Sequence, residues 1–169
     1  MEKWIRGTVE RILDLRPKRL LEIGCGTGLL LFRYCDHCES VHATDISAAA
    51  LAGVRQEVAR RAWSHVTLSQ GDSLNVTVLD GKVFDTVVIN SVVQYYPSRA
   101  YLEHVLERLW PHVEVGGKVF LGDIRNADLL SVHLCAVGEE SHDRQGRGGG
   151  SADQGTSAAS SGKRTAGQP

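Results

Sequence analysis

The sequence predicts an α/β fold with a doubly wound, mostly parallel sheet of about five strands. Short apolar runs alternate with segments of helical period between residues 1 and 121. Three of the apolar runs end in glycines or acidic residues, at residues 22–28, at Asp45 and at residues 71–72. Strands separated by helices require right-handed crossovers, which place helices on the faces of a parallel sheet. Ligands of such sheets bind beyond the carboxyl ends of the strands, near the point where the strand order reverses.

The first half of the chain carries two strands and three helices. A helix that ends before Pro17 has one apolar face, which consists of Trp4, Ile5, Val9, Ile12 and Leu13. Residues 19–23 form an apolar run that ends at glycines, typical of a strand buried on both faces. A helix is predicted over residues 28–35 and a second strand over residues 41–45. Ser47 is a good N-cap for a third helix, whose inner face carries Leu51, Val54, Val58 and Ala62.

The second half of the chain carries three strands and one helix. Residues 66–69 form the third strand, and residues 84–90, rich in β-branched residues, form the fourth. Ser98, after Pro97, begins a helix whose buried stripe is Tyr101, Leu102, Val105, Leu106 and Leu109. The pair Gly116-Gly117 predicts a turn into a fifth strand over residues 118–121.

Composition excludes several classes of protein. The formal net charge is −1, with 19 basic and 20 acidic residues, which disfavours a nucleic-acid binder that works through a positive field. The start lacks a signal-peptide pattern and no apolar stretch is long enough to span a membrane, so we expect a cytoplasmic protein. Four cysteines make no disulfide framework, and no second pair accompanies the Cys35/Cys38 spacing, so we expect no metal.

The chain divides by composition at Val137. Residues 138–169 contain no Val, Ile, Leu, Met, Phe, Trp, Tyr or Cys and are dominated by small and polar residues. Such a segment cannot bury enough apolar surface to offset the entropy of ordering it. We therefore predict one folded domain over residues 1–137 and a disordered Gly/Ser-rich tail over residues 138–169.

The glycine-rich loop after the first strand indicates a ligand. Gly24, Gly26 and Gly28 follow the G-x-G-x-G spacing, whereas dinucleotide-binding loops have G-x-G-x-x-G. Glu22 precedes the loop, and a carboxylate there repels a pyrophosphate but attracts an ammonium group. An adenosine joined to an amino-acid zwitterion fits this loop, and that ligand is S-adenosylmethionine (SAM). A tight turn without a ligand is the alternative.

Two further carboxylates stand at the ends of the second and third strands. Asp45 can accept hydrogen bonds from both hydroxyls of an adenosine ribose. Asp72 can accept a hydrogen bond from the adenine amino group. The alternatives are a solvated or helix-capping role for Asp45 and an ordinary turn at Asp72.

The same residues carry a family resemblance. The run Leu21-Glu-Ile-Gly-Cys-Gly-Thr-Gly28, followed by Asp45, Asp72 and Asp85, resembles the class I SAM-dependent methyltransferases. A narrower resemblance, to the N-methyltransferase domains embedded in nonribosomal peptide synthetases, extends over roughly residues 1–130. Its blocks are residues 16–32, 44–51, 90–97, 101–103 and 116–125. The block Asn90-Ser-Val-Val-Gln-Tyr is more specific than the glycine loop, which very many enzymes share.

The resemblance implies a Rossmann-like methyltransferase fold, SAM as the cofactor, and N-methylation of an aminoacyl group held on a carrier protein. Asn90 offers a carbonyl oxygen that can hold an acceptor amine, and Tyr95 and Tyr96 offer a hydroxyl or an aromatic face to the positive charge. We therefore name Asn90 and Tyr95 as candidate catalytic residues. The expected cofactor-binding residues are Glu22, Gly24, Cys25, Gly26, Gly28, Asp45, Ile46, Asp72, Ser73 and Asn90.

The resemblance also implies an antiparallel hairpin after the fifth strand, which nothing after Val137 can form. The sequence therefore predicts a domain in which the cofactor-binding half is present and the C-terminal hairpin is missing. A free-standing methyltransferase for a small molecule is one alternative function. A truncated remnant that at most binds SAM is the other.

Overall fold

The computed structural model describes residues 2–79 and 81–124, which form a parallel sheet with helices on its two faces. The described strands are β1 (Arg19–Ile23), β2 (Ser40–Asp45), β3 (Val66–Gln70), β4 (Phe84–Asn90) and β5 (Val113–Gly122). The described helices are α1 (Glu2–Asp14), α2 (Leu31–Tyr34), α3 (Ala48–Arg60) and α4 (Arg99–Leu109). The strand order is β3-β2-β1-β4-β5, and all four pairings are parallel. The predicted fold class is confirmed.

The strand order reverses beside β1. The chain moves outward from β1 through β2 to β3, then crosses β1 to form β4 and β5. The carboxyl ends of β1 and β4 are therefore neighbours at the switch point, with Ile23 paired with Ile89. A crevice at this position is the usual ligand site of doubly wound sheets.

Each face of the sheet has its own hydrophobic core. Leu20 packs in one core with α1, α2 and α3, while the next residue, Leu21, packs in the other with α4. Successive side chains of a strand point to opposite faces, so an apolar run in β1 supplies both cores. Burial on both faces fixes the register of β1 and holds its carboxyl end, where the glycine loop begins, in place.

Three predicted boundaries are wrong. The helix expected over residues 28–35 begins only at Leu31, because Gly28 is left-handed (φ 81°) and the ring of Phe32 packs over it. Ala62 lies beyond the end of α3 and is exposed, because it takes a left-handed conformation (φ 55°). Gly116 and Gly117 lie within β5 at a register shift, because Gly116 (φ 80°) accommodates the irregularity without a turn.

The two predicted helix caps are confirmed, and the predicted buried face of α4 is only partly buried. Ser47 and Ser98 cap α3 and α4 by accepting hydrogen bonds from Ala50 N and Tyr101 N, each at 3.2 Å. Tyr101, Leu102 and Leu106, expected in the buried stripe of α4, are half-buried. The predicted tail and the missing hairpin lie outside the described residues. In the described part of the chain, every helix is too short or too polar to cross a membrane.

Candidate functional site

A cavity of about 420 Å³ opens at the switch point, beyond the carboxyl ends of the strands. Its volume lies within the range of small-molecule and cofactor sites. Its walls come from segments that follow β1, β2, β3 and β4 and from the first turn of α4. The lining residues are Ile23, Gly24, Gly26, Asp45, Ile46, Gly71, Asp72, Ser73, Ser91, Val92, Tyr95, Tyr96 and Tyr101.

The glycine loop forms one wall through its backbone. Gly24, Gly26 and Gly28 all have positive φ (74°, 54° and 81°), which glycine adopts without steric cost. A Cβ atom on Gly24 would collide with Val92, and one on Gly28 would approach the Phe32 ring to 2.7 Å. A Cβ atom on Gly26 would meet nothing within 4 Å and would project into open space. Gly24 and Gly28 are thus required for packing, whereas Gly26 leaves room beside the backbone for a ligand.

Asp45 joins the loop after β2 to the glycine loop. Its Oδ2 accepts a hydrogen bond from Gly26 N (2.7 Å), and its Oδ1 accepts one from Ser47 N (2.8 Å). An ionised carboxylate has about four acceptor positions, so each oxygen keeps one for a ligand hydroxyl. The cap of α3 is Ser47 rather than Asp45, and Asp45 binds the backbone N–H of that capping residue while it keeps a free acceptor edge at the cavity.

Glu22 lies behind the glycine loop rather than in the cavity wall. Its side chain is 3% exposed, and Oε2 accepts a hydrogen bond from the hydroxyl of Tyr34, which is fully buried. Burial raises the pKa of Glu22 from 4.5 to about 7, the Tyr34 hydrogen bond opposes this, and the charge of Asp45 adds to the rise. The Glu22 carboxyl group is therefore only partly ionised near neutral pH.

The segment after β3 closes a second wall. Asp72 Oδ1 accepts a hydrogen bond from Leu74 N (3.0 Å), so the ordinary turn that was the alternative at this position is present. Ser73 accepts a hydrogen bond from the hydroxyl of Tyr96 (2.7 Å), which links this segment to the one after β4. Ile46, 71% exposed, adds an apolar surface between them.

The segment after β4 gives the cavity an aromatic side. Tyr96 and Tyr101 pack with ring centroids 4.9 Å apart, and Tyr95 is 77% exposed at the opening. Burial raises the pKa of Tyr96, so its hydroxyl stays protonated and donates to Ser73. Asn90 lies behind this segment: its Nδ2 donates to Ser91 Oγ (2.9 Å). Its Oδ1 is buried and has no hydrogen-bond partner among the described residues.

The structure brings together the predicted site residues at the strand ends. Those that line the cavity are Gly24, Gly26, Asp45, Ile46, Asp72, Ser73 and Tyr95. Within the described part of the chain, those that lie behind its walls are Glu22, Cys25, Gly28 and Asn90. Sequence analysis missed Ser91 and Val92 as lining residues and assigned Tyr101 to packing alone. The position of Ser91, directly after a predicted strand, was a usable signal.

The three described cysteines are protonated thiols, and of these only Cys25 belongs to the glycine loop. Burial is the main cause that raises the pKa of Cys25, and it raises the pKa values of Cys35 and Cys38 to about 12. Residues 2–79 and 81–124 hold no group of three or more His, Cys, Asp or Glu side chains arranged to bind a metal ion.

Comparisons with known proteins agree with this geometry. Residues 21–119 match the methyltransferase domain family. The chain is 40% identical over 139 residues to the probable non-canonical nonribosomal peptide synthetase CymA of Salinispora arenicola. It is 44% identical over 138 residues to the chondramide synthase CmdD of Chondromyces crocatus. These alignments cover 82% and 81% of the chain but 2% and 4% of the relatives, so the chain spans a small part of their length.

Among solved structures, the chain resembles the glycopeptide N-methyltransferase MtfA, crystallised with SAM. The TM-score is 0.57 and the identity 31%, over 69% of this chain and 51% of MtfA. The fold and the cavity thus define a Rossmann-like domain of the methyltransferase class. The chain belongs to the methyltransferase domain family, and its cofactor class is SAM.

The residues present fit that cofactor. The cavity has the volume of a cofactor site, the Cβ position of Gly26 is open, and the acceptor edge of Asp45 faces the cavity. The polar side formed by the glycine loop, Asp45 and Asp72 is continuous with the tyrosine side. One cavity therefore offers a polar side and an aromatic side.

Proposed function

We propose that this chain transfers a methyl group from SAM to the α-amine of an aminoacyl group held on a carrier protein. The observation that carries the proposal is the two-sided cavity at the switch point, with backbone and carboxylate groups on one side and tyrosines on the other. SAM supplies an activated methyl group, so the protein has to align the acceptor and exclude water.

The polar side is assigned to the cofactor. Gly26 lets the ligand approach the backbone, and the free acceptor edge of Asp45 binds the ribose hydroxyls. Asp72 and Ser73 lie where they can contact the adenine edge, and Ile46 packs against the base. Glu22, whose carboxyl group is only partly ionised near neutral pH, attracts the ammonium group of the cofactor from behind the loop. Cys25, Gly28 and Asn90 hold the shape of this wall by packing.

The tyrosine side is assigned to the acceptor. Tyr95 at the opening presents an aromatic face that attracts the positive charge of an amine or a sulfonium. Tyr96 and Tyr101 form a rigid surface behind it, fixed by the hydrogen bond from Tyr96 to Ser73. These groups position an amine and exclude water. A protonated acceptor loses a proton to water before its nitrogen attacks the methyl group, and no strong base is needed because the pKa of an amine beside a thioester carbonyl is near neutrality.

The choice of a carrier-bound aminoacyl acceptor is supported by the relatives. CymA is named a probable nonribosomal peptide synthetase and CmdD a synthase, and the chain aligns with 2% and 4% of their lengths. A domain embedded in such a long protein meets substrates attached to the same assembly. The glycopeptide N-methyltransferase MtfA favours an amine acceptor as well, although its substrate is of another kind.

Cofactor binding is tested first, by thermal unfolding of the chain with and without S-adenosylhomocysteine. A ligand at a hundred times its Kd adds about 2.7 kcal/mol to the free energy of unfolding. We expect Gly26→Val to abolish the shift, because the side chain fills the open space beside the loop. Gly81→Val is the matched control: its φ is 67°, its Cβ also meets open space, and it lies outside the cavity wall. Equal ligand shifts in the two variants would contradict the site.

The acceptor is tested by methyl transfer from labelled SAM to aminoacyl groups loaded on a carrier protein. Methylation of the α-amine, released as an N-methyl amino acid on thioester hydrolysis, supports the proposal. Transfer to free amines with none to the loaded carrier would instead favour the free-standing methyltransferase. Binding of S-adenosylhomocysteine without transfer to either acceptor would leave a cofactor-binding remnant as the function.

A further inference from the structure

Two side chains that the assignment above does not use meet at the ends of β4 and β5. Ser91 follows β4 and lines the cavity, and Asp123 follows β5. The backbone joins the two segments, because Ser91 N donates to the carbonyl of Gly122 (3.2 Å). Ser91 Oγ in turn donates to Asp123 Oδ2 (2.8 Å). The hydroxyl of a residue in the cavity wall is thus held by the carboxylate of Asp123, which is exposed to solvent.

The backbone of both residues is strained in the same way. Ser91 has φ 59° and Asp123 has φ 54°, the left-handed region that residues other than glycine rarely adopt. Such conformations persist where the surrounding structure fixes them, and they cluster at functional sites. Here each aims a short polar side chain at the other, across the boundary between two strands.

The hydrogen bonds of Ser91 determine what its hydroxyl can offer the cavity. A hydroxyl has one proton and two lone pairs. The proton is donated to Asp123, and one lone pair accepts from Asn90 Nδ2 (2.9 Å). The remaining lone pair is an acceptor, so Ser91 binds a donor rather than a carbonyl or an ether oxygen.

We propose that Ser91 binds the acceptor amine by accepting one of its N–H groups, and that Asp123 is the positioning residue that keeps Ser91 an acceptor. A hydroxyl acceptor is also a donor but carries no charge, so the negative charge of Asp123, one hydrogen bond from Ser91, favours the ammonium form of the acceptor over a hydroxyl of the same shape. The bound ammonium loses one proton to water, and the lone pair that this leaves on the nitrogen attacks the methyl group. With one N–H held by Ser91, the amine keeps a fixed orientation in front of the tyrosine side. This inference rests on the proposed function and assigns its selectivity for nitrogen.

The test uses the full chain and two soluble probes, an α-aminoacyl and an α-hydroxyacyl thioester of N-acetylcysteamine. For the aminoacyl probe we expect Ser91→Ala and Asp123→Asn to lower kcat/KM by about 10- to 100-fold, the effect of one hydrogen bond to a charged group. The Kd of S-adenosylhomocysteine is expected to change by less than about twofold, because the pair faces the acceptor. Asp14→Asn, at an exposed site at the end of α1, is the matched control.

The binding of the two probes to the chain saturated with S-adenosylhomocysteine separates this inference from the proposed function. The wild-type chain is expected to prefer the amine over the hydroxyl, and Asp123→Asn is expected to lose that preference. If the wild-type chain prefers the amine, Asp123→Asn loses that preference, and the wild-type chain transfers no methyl group, the proposed function is refuted while the inference stands. The inference is overturned if Asp123→Asn keeps full activity or the wild-type preference between the amine and the hydroxyl probe. It is also overturned if Ser91→Ala loses cofactor binding and acceptor binding equally. Binding of neither probe by the wild-type chain refutes both.

Discussion

Replacing Glu22 by glutamine is expected to remove a loss of folding stability that the wild-type chain undergoes as the pH rises from 4.5 to about 7. Burial raises the pKa of Glu22 from 4.5 in the unfolded chain to about 7 in the folded one. Between these values the folded state binds a proton that the unfolded state has released, so stability falls as the pH rises. A shift of this size corresponds to about 3 kcal/mol across the interval. The Glu22→Gln variant loses this contribution.

A second buried group, His42, offsets the pH dependence that Glu22 gives to the stability of the wild-type chain. His42 in β2 is 3% exposed, and its Nε2 is hydrogen-bonded to Ser69 Oγ (2.9 Å). Burial, with the charge of Lys82 adding to it, lowers the pKa of His42 from 6.5 to about 4. The unfolded state binds the extra proton in this case, so stability falls as the pH falls from 6.5 to 4. The contributions of Glu22 and His42 therefore oppose each other between pH 4.5 and 6.5.

The quantity to measure is thus the difference in unfolding free energy between the wild-type chain and Glu22→Gln, from urea unfolding at several pH values from 4.5 to 7.5. The contributions of all other groups cancel in this difference, which is expected to change by about 3 kcal/mol. Glu107→Gln, an exposed position on α4, is the control and gives a flat difference. A difference for Glu22→Gln that stays constant within about 0.5 kcal/mol, or slopes the other way, would refute the reasoning.

Three other substitutions test the contacts of Glu22, the amino end of β1 and the packing of α2. Tyr34→Phe removes the hydrogen bond that holds down the pKa of Glu22. The pKa of Glu22 is expected to rise further, which carbon NMR of the labelled carboxyl detects; an unchanged value contradicts the contact. Asp85→Ala frees Lys18 N and Arg19 N at the amino end of β1 and is expected to cost about 1–3 kcal/mol in urea unfolding. Leu31→Ala, at a fully buried position, is expected to cost about 2–5 kcal/mol, and Leu29→Ala, at a 39% exposed one, much less.

The strands were the part of the fold that local sequence determined best. β1 and β4 are short apolar runs bounded by turn residues, so their limits could be predicted without knowing their neighbours. The start of α2 could not be predicted, because it depends on the Phe32 ring packing over Gly28. The irregularity at Gly116 could not be predicted either, because it arises where β5 pairs with β4.

The same division holds for the candidate site. Asp45, Asp72 and the glycine loop follow strands, and a parallel sheet gathers the carboxyl ends of its strands, so their meeting could be predicted. The contact of Glu22 with Tyr34 and that of Ser91 with Asp123 join residues 12 and 32 positions apart. Only the packing of the helix and of the edge strand brings these pairs together. Sequence alone therefore located the cavity but not the groups that tune it.

The tyrosine side of the cavity comes from one continuous piece of chain. Residues 91–101, which begin after β4 and run into the first turn of α4, contribute Ser91, Val92, Tyr95, Tyr96 and Tyr101. The remaining lining residues lie on three separate segments, at the carboxyl ends of β1, β2 and β3. Exchanging this single stretch between related domains would therefore change the tyrosine side of the cavity, while the lining residues on the other three segments keep their identity. The new stretch would have to keep the contacts that Val92, Tyr96 and Tyr101 make with the core beneath α4. Residues 91–101 are therefore the part of the fold through which the acceptor bound in the cavity can be changed.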